Sequence, residues 1–337
     1  MEFTIGGRLE VRVTPADVGK RVSVRRRSAG GGAGAGFTDT VGVLTSWDDG
    51  VLSITRRNGE SVTIAESSLV AGKAVPAAPA RRRGPAASFP ELAAVTARAW
   101  PPVESEPLGD WRLRASGGFT RRANSALALG DPGLPAAEAF ARVRAFYERR
   151  GLPPYVQAAT GAEGTQEVLC AELERHGWRR EVSAEVRIAA LAPVGDLDAD
   201  VSPVRLTRTP DAAWLARYQR LGTPGPHVLR VLGGGPSVWF AAVPGEAADG
   251  ASGTAPAAIG RMVVDGRWAG FMAVEVAPEH RRRGLATAVM AALARRALEE
   301  GASAAWLQVE EDNEGARALY DGMGFAAHHR YHHFRAG

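Results

Sequence analysis

The chain has a single cysteine among 337 residues, Cys170, so no disulfide can form within it. A lone thiol fits a reducing compartment, and a cytoplasmic protein is expected. Cys170 falls in a helical pattern with Val168, Leu169 and Leu173, where a small core residue is the expected role. Lysine is nearly absent: of 41 basic residues only Lys20 and Lys73 are lysines. A preference for arginine along the whole chain reads as the coding bias of a GC-rich genome and not as a functional signal. No excess of one sign stands out, because 37 acidic residues leave a net charge of only +4. A basic footprint must be clustered to indicate nucleic acid, so no nucleic-acid partner is expected. No apolar run is long enough to cross a bilayer, and Met1-Glu2-Phe3-Thr4 lacks the layout of a signal peptide. No membrane partner is expected.

Three segments and a linker are present. Residues 1–72 read as small all-β structure, with alternation at Leu9, Val11, Val13 and at Val22, Val24. Val41–Leu44, Val51–Ile54 and Val62–Ile64 follow, and Asp48-Asp49-Gly50 and Asn58-Gly59 supply hairpin turns. About five short strands in this length predict an SH3-like β-barrel. The glycine-rich stretch Gly30 to Gly36 lacks the helix and Lys-Ser/Thr of a phosphate loop, and a hairpin tip is expected. Residues 73–88 have Pro, Ala and charge without periodicity, so they read as a linker, with the Arg81 to Arg83 cluster solvated.

From residue 89 the pattern is mixed α/β and contains an internal repeat. One copy runs through a helix over 136–150, Gly151, a strand at Tyr155-Val156-Gln157, a helix over 166–176, Gly177-Trp178 and a strand over 183–189. The other runs through a helix over 285–300, Gly301, a strand at Trp306-Leu307-Gln308-Val309, a helix over 314–323, Gly324-Phe325 and a last strand through Phe334. The same order with similar spacing predicts a duplicated α/β unit.

The second copy carries the chemistry. Phe271 to Val276 reads as a strand, Glu279 to Arg283 as a basic turn, and Gly284-Leu285-Ala286-Thr287 as a helix start. The first amides of a helix lack intrahelical partners and the dipole is positive there, so a pyrophosphate fits such an end. Gly284 and Ala286 are small enough for close approach, and Arg281, Arg282 and Arg283 add charge-assisted contacts.

This turn and the Asn313 to Phe325 segment together resemble the GNAT superfamily of acetyl-CoA-dependent N-acetyltransferases. Arg281-Arg282-Arg283-Gly284-Leu285-Ala286 is similar to the family's pyrophosphate motif, and Leu307 to Phe325, with Asn313, Leu319-Tyr320 and Gly324-Phe325, to its second motif. The resemblance covers roughly residues 201–335. It implies a tandem GNAT fold with a mixed central sheet flanked by helices, and acetyl-CoA as co-substrate without a metal. By that resemblance Val274, Glu275 and Val276 would pair with the pantetheine arm. Amides from Arg282 to Thr287 would cradle the pyrophosphate, Asn313 would lie near the pantetheine or phosphates, and Tyr320 would protonate the leaving thiolate. An amphipathic-helix tyrosine with its hydroxyl in water is the alternative for Tyr320.

Acetyl transfer also needs a neutral amine and an oxyanion donor. The amide near Val276 can serve the oxyanion. Some family members carry Glu at the place of Gln308, and Gln cannot take a proton. Glu275 or Glu310 could act instead through water, with a surface carboxylate as the alternative reading of both. The tail His328-His329-Arg330-Tyr331-His332-His333 would split its histidines between two faces of a strand. Neither face completes a metal site alone, and lining of the acceptor cleft is preferred.

The first copy has Gly130-Asp131-Pro132-Gly133-Leu134-Pro135 in place of the basic turn, and Leu173 or Glu174 in place of Tyr320. It is expected to be a degenerate copy over 89–192 that shapes the cleft of a catalytic domain over 201–337. The whole chain resembles actinobacterial tandem GNAT proteins with an N-terminal SH3-like domain, which implies an amine acceptor, with a lean toward a protein lysine. A non-catalytic acyl-CoA sensor or scaffold, and a barrel that docks nucleic acid, are the readings from other classes.

Overall fold

Asp49 and Gly50 both take positive φ, 51° and 73°. This is the turn that reverses a right-twisted hairpin, here between the second and third strands. A computed structural model describes residues 10–27, 36–76, 84–218, 225–245 and 255–337. The chain divides into two units, residues 1–79 with 158–179, and residues 80–157 with 180–337.

In the first unit, β1 (Arg21–Arg27), β2 (Phe37–Asp48), β3 (Val51–Thr55), β4 (Ser61–Ala65) and β5 (Leu69–Ala74) form one sheet in the order β4-β3-β2-β1-β5. Alternation buries Val22, Val24, Leu44, Leu52, Ile54 and Ile64 with Val13. The expected barrel is not closed. A 3-10 turn at Glu66–Ser68 carries the chain from β4 across to β1, which β5 pairs from Val22↔Ala74 onward. β4 and β5 therefore remain the two edges. The expected first strand is reduced to a bridge from Val11 to Gly72. Leu9, the glycine-rich stretch up to residue 35 and the Arg81 to Arg83 cluster lie outside the described residues.

The rest of the chain supplies α1 (Phe89–Ala99), β6 (Glu104–Leu108), β7 (Trp111–Ala115), β8 (Ala126–Leu127), α2 (Ala136–Glu148), β9 (Tyr155–Thr160), α3 (Glu167–Arg175), β10 (Arg179–Ala190) and α4 (Leu191–Gly195). It continues through β11 (Arg205–Thr207), α5 (Ala212–Arg217), α6 (Pro226–Gly233), β12 (Ser237–Val243), β13 (Ala258–Asp265) and β14 (Trp268–Val276). Last come α7 (Leu285–Glu299), β15 (Ala304–Glu310), α8 (Glu314–Gly322) and β16 (Ala326–Arg335). Helix α3, with buried Cys170 and Leu173, groups with the first unit and packs on β2.

The large sheet runs β11-β12-β13-β14-β15-β10-β16-β9-β8-β7-β6. Each copy holds one parallel pair, β8 with β9 and β14 with β15. The two copies exchange their last strands: β10 of the first lies against β15 of the second, and β16 of the second lies beside β9 of the first. One sheet with one continuous surface results. The face carrying α4, α7 and α8 buries Met262, Phe271, Val289, Leu293, Leu307 and Tyr320. The opposite face, with α1, α5 and α6, buries Trp100, Trp214, Trp268 and Trp306; it is called the tryptophan face below. No helix among the described residues is long and apolar enough to cross a membrane.

Candidate active site

Four consecutive pairs, Trp268↔Ala304 to Phe271↔Leu307, join β14 to β15, and then the pairing stops. Beyond that point β14 stays with β13, through Glu275↔Ile259 and Val276↔Ala258. β15 stays with β10, through Gln308↔Val186 and Glu310↔Ala184. The two strands thus splay into a V whose limbs carry unpaired backbone groups on their facing edges. The cause is a bulge: the β13–β14 register shifts between Ile259 and Arg261, and Ala273 opposite takes φ 51°. A bulge bends its strand, and a non-glycine residue at positive φ persists only where its surroundings demand it. Gly260 lets α7 sit close behind this bulge, since a Cβ there would lie 2.5 Å from Val289 Cγ1.

The β14 limb ends at a 3-10 turn, Pro278–His280, and the chain enters α7 with Arg282 at φ 64° and Gly284 at φ 77°. Gly284 is the N-cap and no side chain caps the helix. The amides of Leu285, Ala286 and Thr287 therefore have no partner within the helix. Arg281, Arg282, Arg283 and Gly284 are exposed, while Leu285 to Thr287 are half-buried. His280 Nδ1 lies 2.9 Å from Arg283 Nη1. Consecutive amides over a left-handed turn, with a helix dipole behind them, form a concavity for an anion. This arrangement fits a pyrophosphate at the mouth of the V and an extended pantetheine-like chain along its β14 limb.

The corresponding helix of the first copy starts differently. Asp110 Oδ2 accepts from Asp131 N at 2.9 Å ahead of α2, and Glu138 stands in the helix's first turn. No side chain caps α2 at Pro135, but Glu138 in its first turn disfavours an anion there.

Tyr320, on α8, is 9% exposed and lies on the α7 face, its ring edge-on to Phe325 with centroids 6.0 Å apart. Burial pushes its phenol up to about 12. The ring is thus packed into the core, while the hydroxyl is not among the sealed-off polar atoms. Asn313 is the N-cap of α8, and its Oδ1 accepts from Ala316 N at 3.1 Å. Its carbonyl is therefore occupied by the helix, which leaves the amide nitrogen for any ligand.

Val274 and Val276 pack toward the α7 face, so alternation turns Glu275 to the tryptophan face. On β15, Leu307 and Val309 belong to the α7 face and Trp306 to the other, which puts Gln308 and Glu310 on the tryptophan face too. Glu275, Gln308 and Glu310 thus share one side of the V, opposite Tyr320. Gln308 Oε1 accepts from Arg122 of the first copy. Sequence reasoning missed Arg122, because nothing in Gly117 to Ala123 signals which strand the loop will reach.

The histidine tail forms β16, and its histidines are structural in their contacts. His329 stands edge-on to Phe89, His332 Nδ1 lies 2.7 Å from Ser183 Oγ, and His328 Nε2 lies 3.0 Å from Ala87 O. Burial, then the neighbouring His328, pushes His329 down to about 3; burial, then Arg180 and Arg330, does the same for His332. Among the described residues no three His, Cys, Asp or Glu side chains gather as a metal site.

A strand bulge that splays the central parallel pair, with an anion-accepting helix start at its mouth, defines an acyltransferase of the GNAT type. The comparisons agree with that class. The pattern described as "Probable histone acetyltransferase Rv0428c C-terminal" matches residues 87–334, and the Rv0428c N-terminal Sm-like domain matches residues 16–73. The chain belongs to the Rv0428c family. The probable histone acetyltransferase Rv0428c of Mycobacterium tuberculosis is 27% identical over 316 residues, covering 93% of each chain. The uncharacterized N-acetyltransferase YobR of Bacillus subtilis is 26% identical over 248 residues, 71% of this chain and 95% of that one. Among solved structures, a GCN5-related N-acetyltransferase from Kribbella flavida covers 73% of this chain and 94% of its own at 15% identity, with a TM-score of 0.52. A tandem GNAT protein from the clavulanic acid biosynthesis pathway covers 75% and 90% at 16% identity, also with a TM-score of 0.52. At these identities the solved structures support the fold alone.

Proposed function

We propose that the chain transfers the acetyl group of acetyl-CoA to a primary amine, by direct attack within a ternary complex. The observation that carries this reading is the V between β14 and β15 opening onto the uncapped start of α7. Arg281 to Arg283 and the amides from Arg282 to Thr287 hold the pyrophosphate. The edge of Val274, Glu275 and Val276 pairs with the pantetheine arm, and Asn313 Nδ2 meets a carbonyl of the same arm. The amide near Val276 donates to the developing oxyanion. Tyr320 donates to the leaving sulfur from the α7 face. Glu275 or Glu310, on the tryptophan face, takes the amine proton through water, since Gln308 cannot.

The catalytic part is the second copy, residues 201–337. The first copy, residues 89–192, shapes the acceptor side, and the N-terminal domain over 1–72 and the linker over 73–88 take no part in the chemistry. The acceptor classes in play are a protein lysine or N-terminus and a small-molecule amine. The name of the M. tuberculosis relative favours the first. A cytoplasmic location belongs to the same reading and rests on the single cysteine. A second reading, an acyl-CoA sensor without turnover, is favoured by Gln308 being tied to Arg122 where a base would help. Release of free thiol from acetyl-CoA over a panel of amines, with Tyr320→Phe as control, separates the two. Acetyl-CoA binding without turnover on every amine would leave only the sensor.

A further inference from the structure

Three arginines on the acceptor side lack a carboxylate partner among the described residues. Arg261, fully buried, donates to the carbonyls of Leu232, Ala99 and Gly234 at 2.6, 3.1 and 2.6 Å. Arg114, 4% exposed, donates to Ser125 O, Ser125 Oγ and Gln157 Oε1. Arg122, half-buried, lies over the Trp100 ring at 5.1 Å and donates to the neutral Gln308. Burial lowers Arg114 to about 10 and Arg261 to about 9, and Arg122 adds to both effects. Carbonyls satisfy guanidinium hydrogen bonds but do not cancel their charge, and uncompensated charge out of water is costly.

Arg122 is also held in place. The buried Asn124 fixes its loop with four hydrogen bonds: Oδ1 accepts from Ser116 N and Gly118 N, and Nδ2 donates to Phe119 O and Thr120 O. Thr120 takes φ 58°, a strained conformation for a β-branched residue, and its Oγ1 accepts from Trp100 Nε1 at 3.0 Å. The strained loop delivers a guanidinium to Gln308, on the limb of the V that faces the acceptor. His333 is 4% exposed with neither ring nitrogen hydrogen-bonded, and burial, then Arg114, Arg122 and Arg121, keeps it neutral.

We propose that the acceptor is a small amine that also carries an anionic group, a carboxylate or a phosphate, and that Arg122 receives this group on the tryptophan face of the V. The inference rests on the acetyltransferase reading above and takes the small-amine acceptor over the protein lysine that the relative's name favours. A planar guanidinium already stacked on Trp100 matches either oxyanion in paired geometry. Glu275, on the other limb, and Glu310, two residues beyond Gln308, stand on the same face and attract the amine end, so the acceptor's two charges meet different groups. A lysine-rich peptide offers Arg122 no anion to receive.

The test uses the full chain with saturating acetyl-CoA and matched acceptor pairs. These are free L-amino acids against their C-terminal amides, and phosphoethanolamine against ethanolamine, with a lysine-rich histone-tail peptide alongside. The anionic member of one pair is expected to show a KM at least about tenfold lower, the scale of one charged hydrogen-bonded contact. Which pair responds tells carboxylate from phosphate. Arg122→Gln should raise the KM of the anionic member alone and bring the ratio toward one, while Arg122→Lys should keep part of it. Equal or better turnover of neutral amines or of the peptide overturns the proposal, as does an unchanged ratio in Arg122→Gln. If no amine turns over, N-acetylglycine against N-acetylglycinamide and N-acetylphosphoethanolamine against N-acetylethanolamine are titrated calorimetrically into the CoA-saturated protein; preferential binding of the anionic member of either pair supports the proposal, and equal or absent binding in both overturns it. Acetyl-CoA titrated alone isolates the underlying reading: no binding removes that reading and the inference with it, whereas binding without anion preference removes only the inference.

Discussion

Tyr320→Phe separates chemistry from stability, because the structure predicts a large loss of the first and almost no change in the second. Tyr320 is 9% exposed, its ring packs on Phe325, and its hydroxyl makes no hydrogen bond among the described residues. The oxygen is not among the sealed-off polar atoms, so removing it should change stability by no more than about 0.5 kcal/mol. A change of that size keeps the Tm within about 1 °C in a chain of 337 residues. Activity should fall steeply. Loss of a positioned proton donor to the leaving sulfur lowers kcat by about 100-fold or more, with little change in acetyl-CoA affinity. The pH profile adds an independent readout. Burial holds the Tyr320 phenol at about 12, so it stays protonated throughout the alkaline range in which an ordinary tyrosine ionises. Wild-type kcat should therefore show no alkaline fall assignable to this group below about pH 11. Scanning calorimetry and a thiol-release assay on the same preparations decide the matter. A variant with kcat within about threefold of wild type would refute the reasoning, and so would one that loses activity only in step with its Tm.

Gly284→Ala places a methyl where φ is 77° and no atom lies within 4 Å, so the cost to stability should be about 1–2 kcal/mol of backbone strain without a clash. The methyl faces the pyrophosphate turn, and acetyl-CoA affinity by calorimetry should fall about tenfold or more, with unchanged affinity contradicting the placement. Gly260→Ala puts Cβ 2.5 Å from Val289 Cγ1, and overpacking between α7 and β13 should lower stability by about 1–3 kcal/mol in urea unfolding. Acid should destabilise the second unit early. His329 and His332 stay near 3 when folded but take protons near 6.5 when unfolded, so their stability contribution is complete above pH 6.5 and lost as pH falls toward 3. The slope is about 1.4 kcal/mol per pH unit for each, and His332→Gln should flatten the dependence of the urea midpoint between pH 7 and 5.

The duplicated unit was legible because its signals are local. The helix over 285–300 is observed as Leu285–Glu299, and the strand expected at 306–309 as Ala304–Glu310. Amphipathic period, positive-φ glycines and the Gly-aromatic pair before each last strand all act within a few residues. The arginine turn and the Tyr320 helix were legible for the same reason. What the sequence hid is non-local. Nothing in β10 or β16 says that each will pair within the other copy, since strand partners are chosen by packing across the whole sheet. The open five-stranded sheet also depends on where one 3-10 turn sends β5, and the pattern of alternation is the same whether or not the edges meet. Ala273 carries no mark of a bulge, because alanine is not a residue that favours positive φ. Arg122 reaches Gln308 across 186 positions, so its contact with the β15 limb is not written in its own loop.

The central claim is a single acyl-CoA site, built on the second copy alone. Calorimetric titration of the full chain with acetyl-CoA tests it most directly. The expected result is one acetyl-CoA bound per chain, with binding abolished or strongly weakened by Gly284→Ala and unaffected by Asp110→Asn ahead of α2. Two equivalents per chain, or one that survives Gly284→Ala unchanged, would contradict the account.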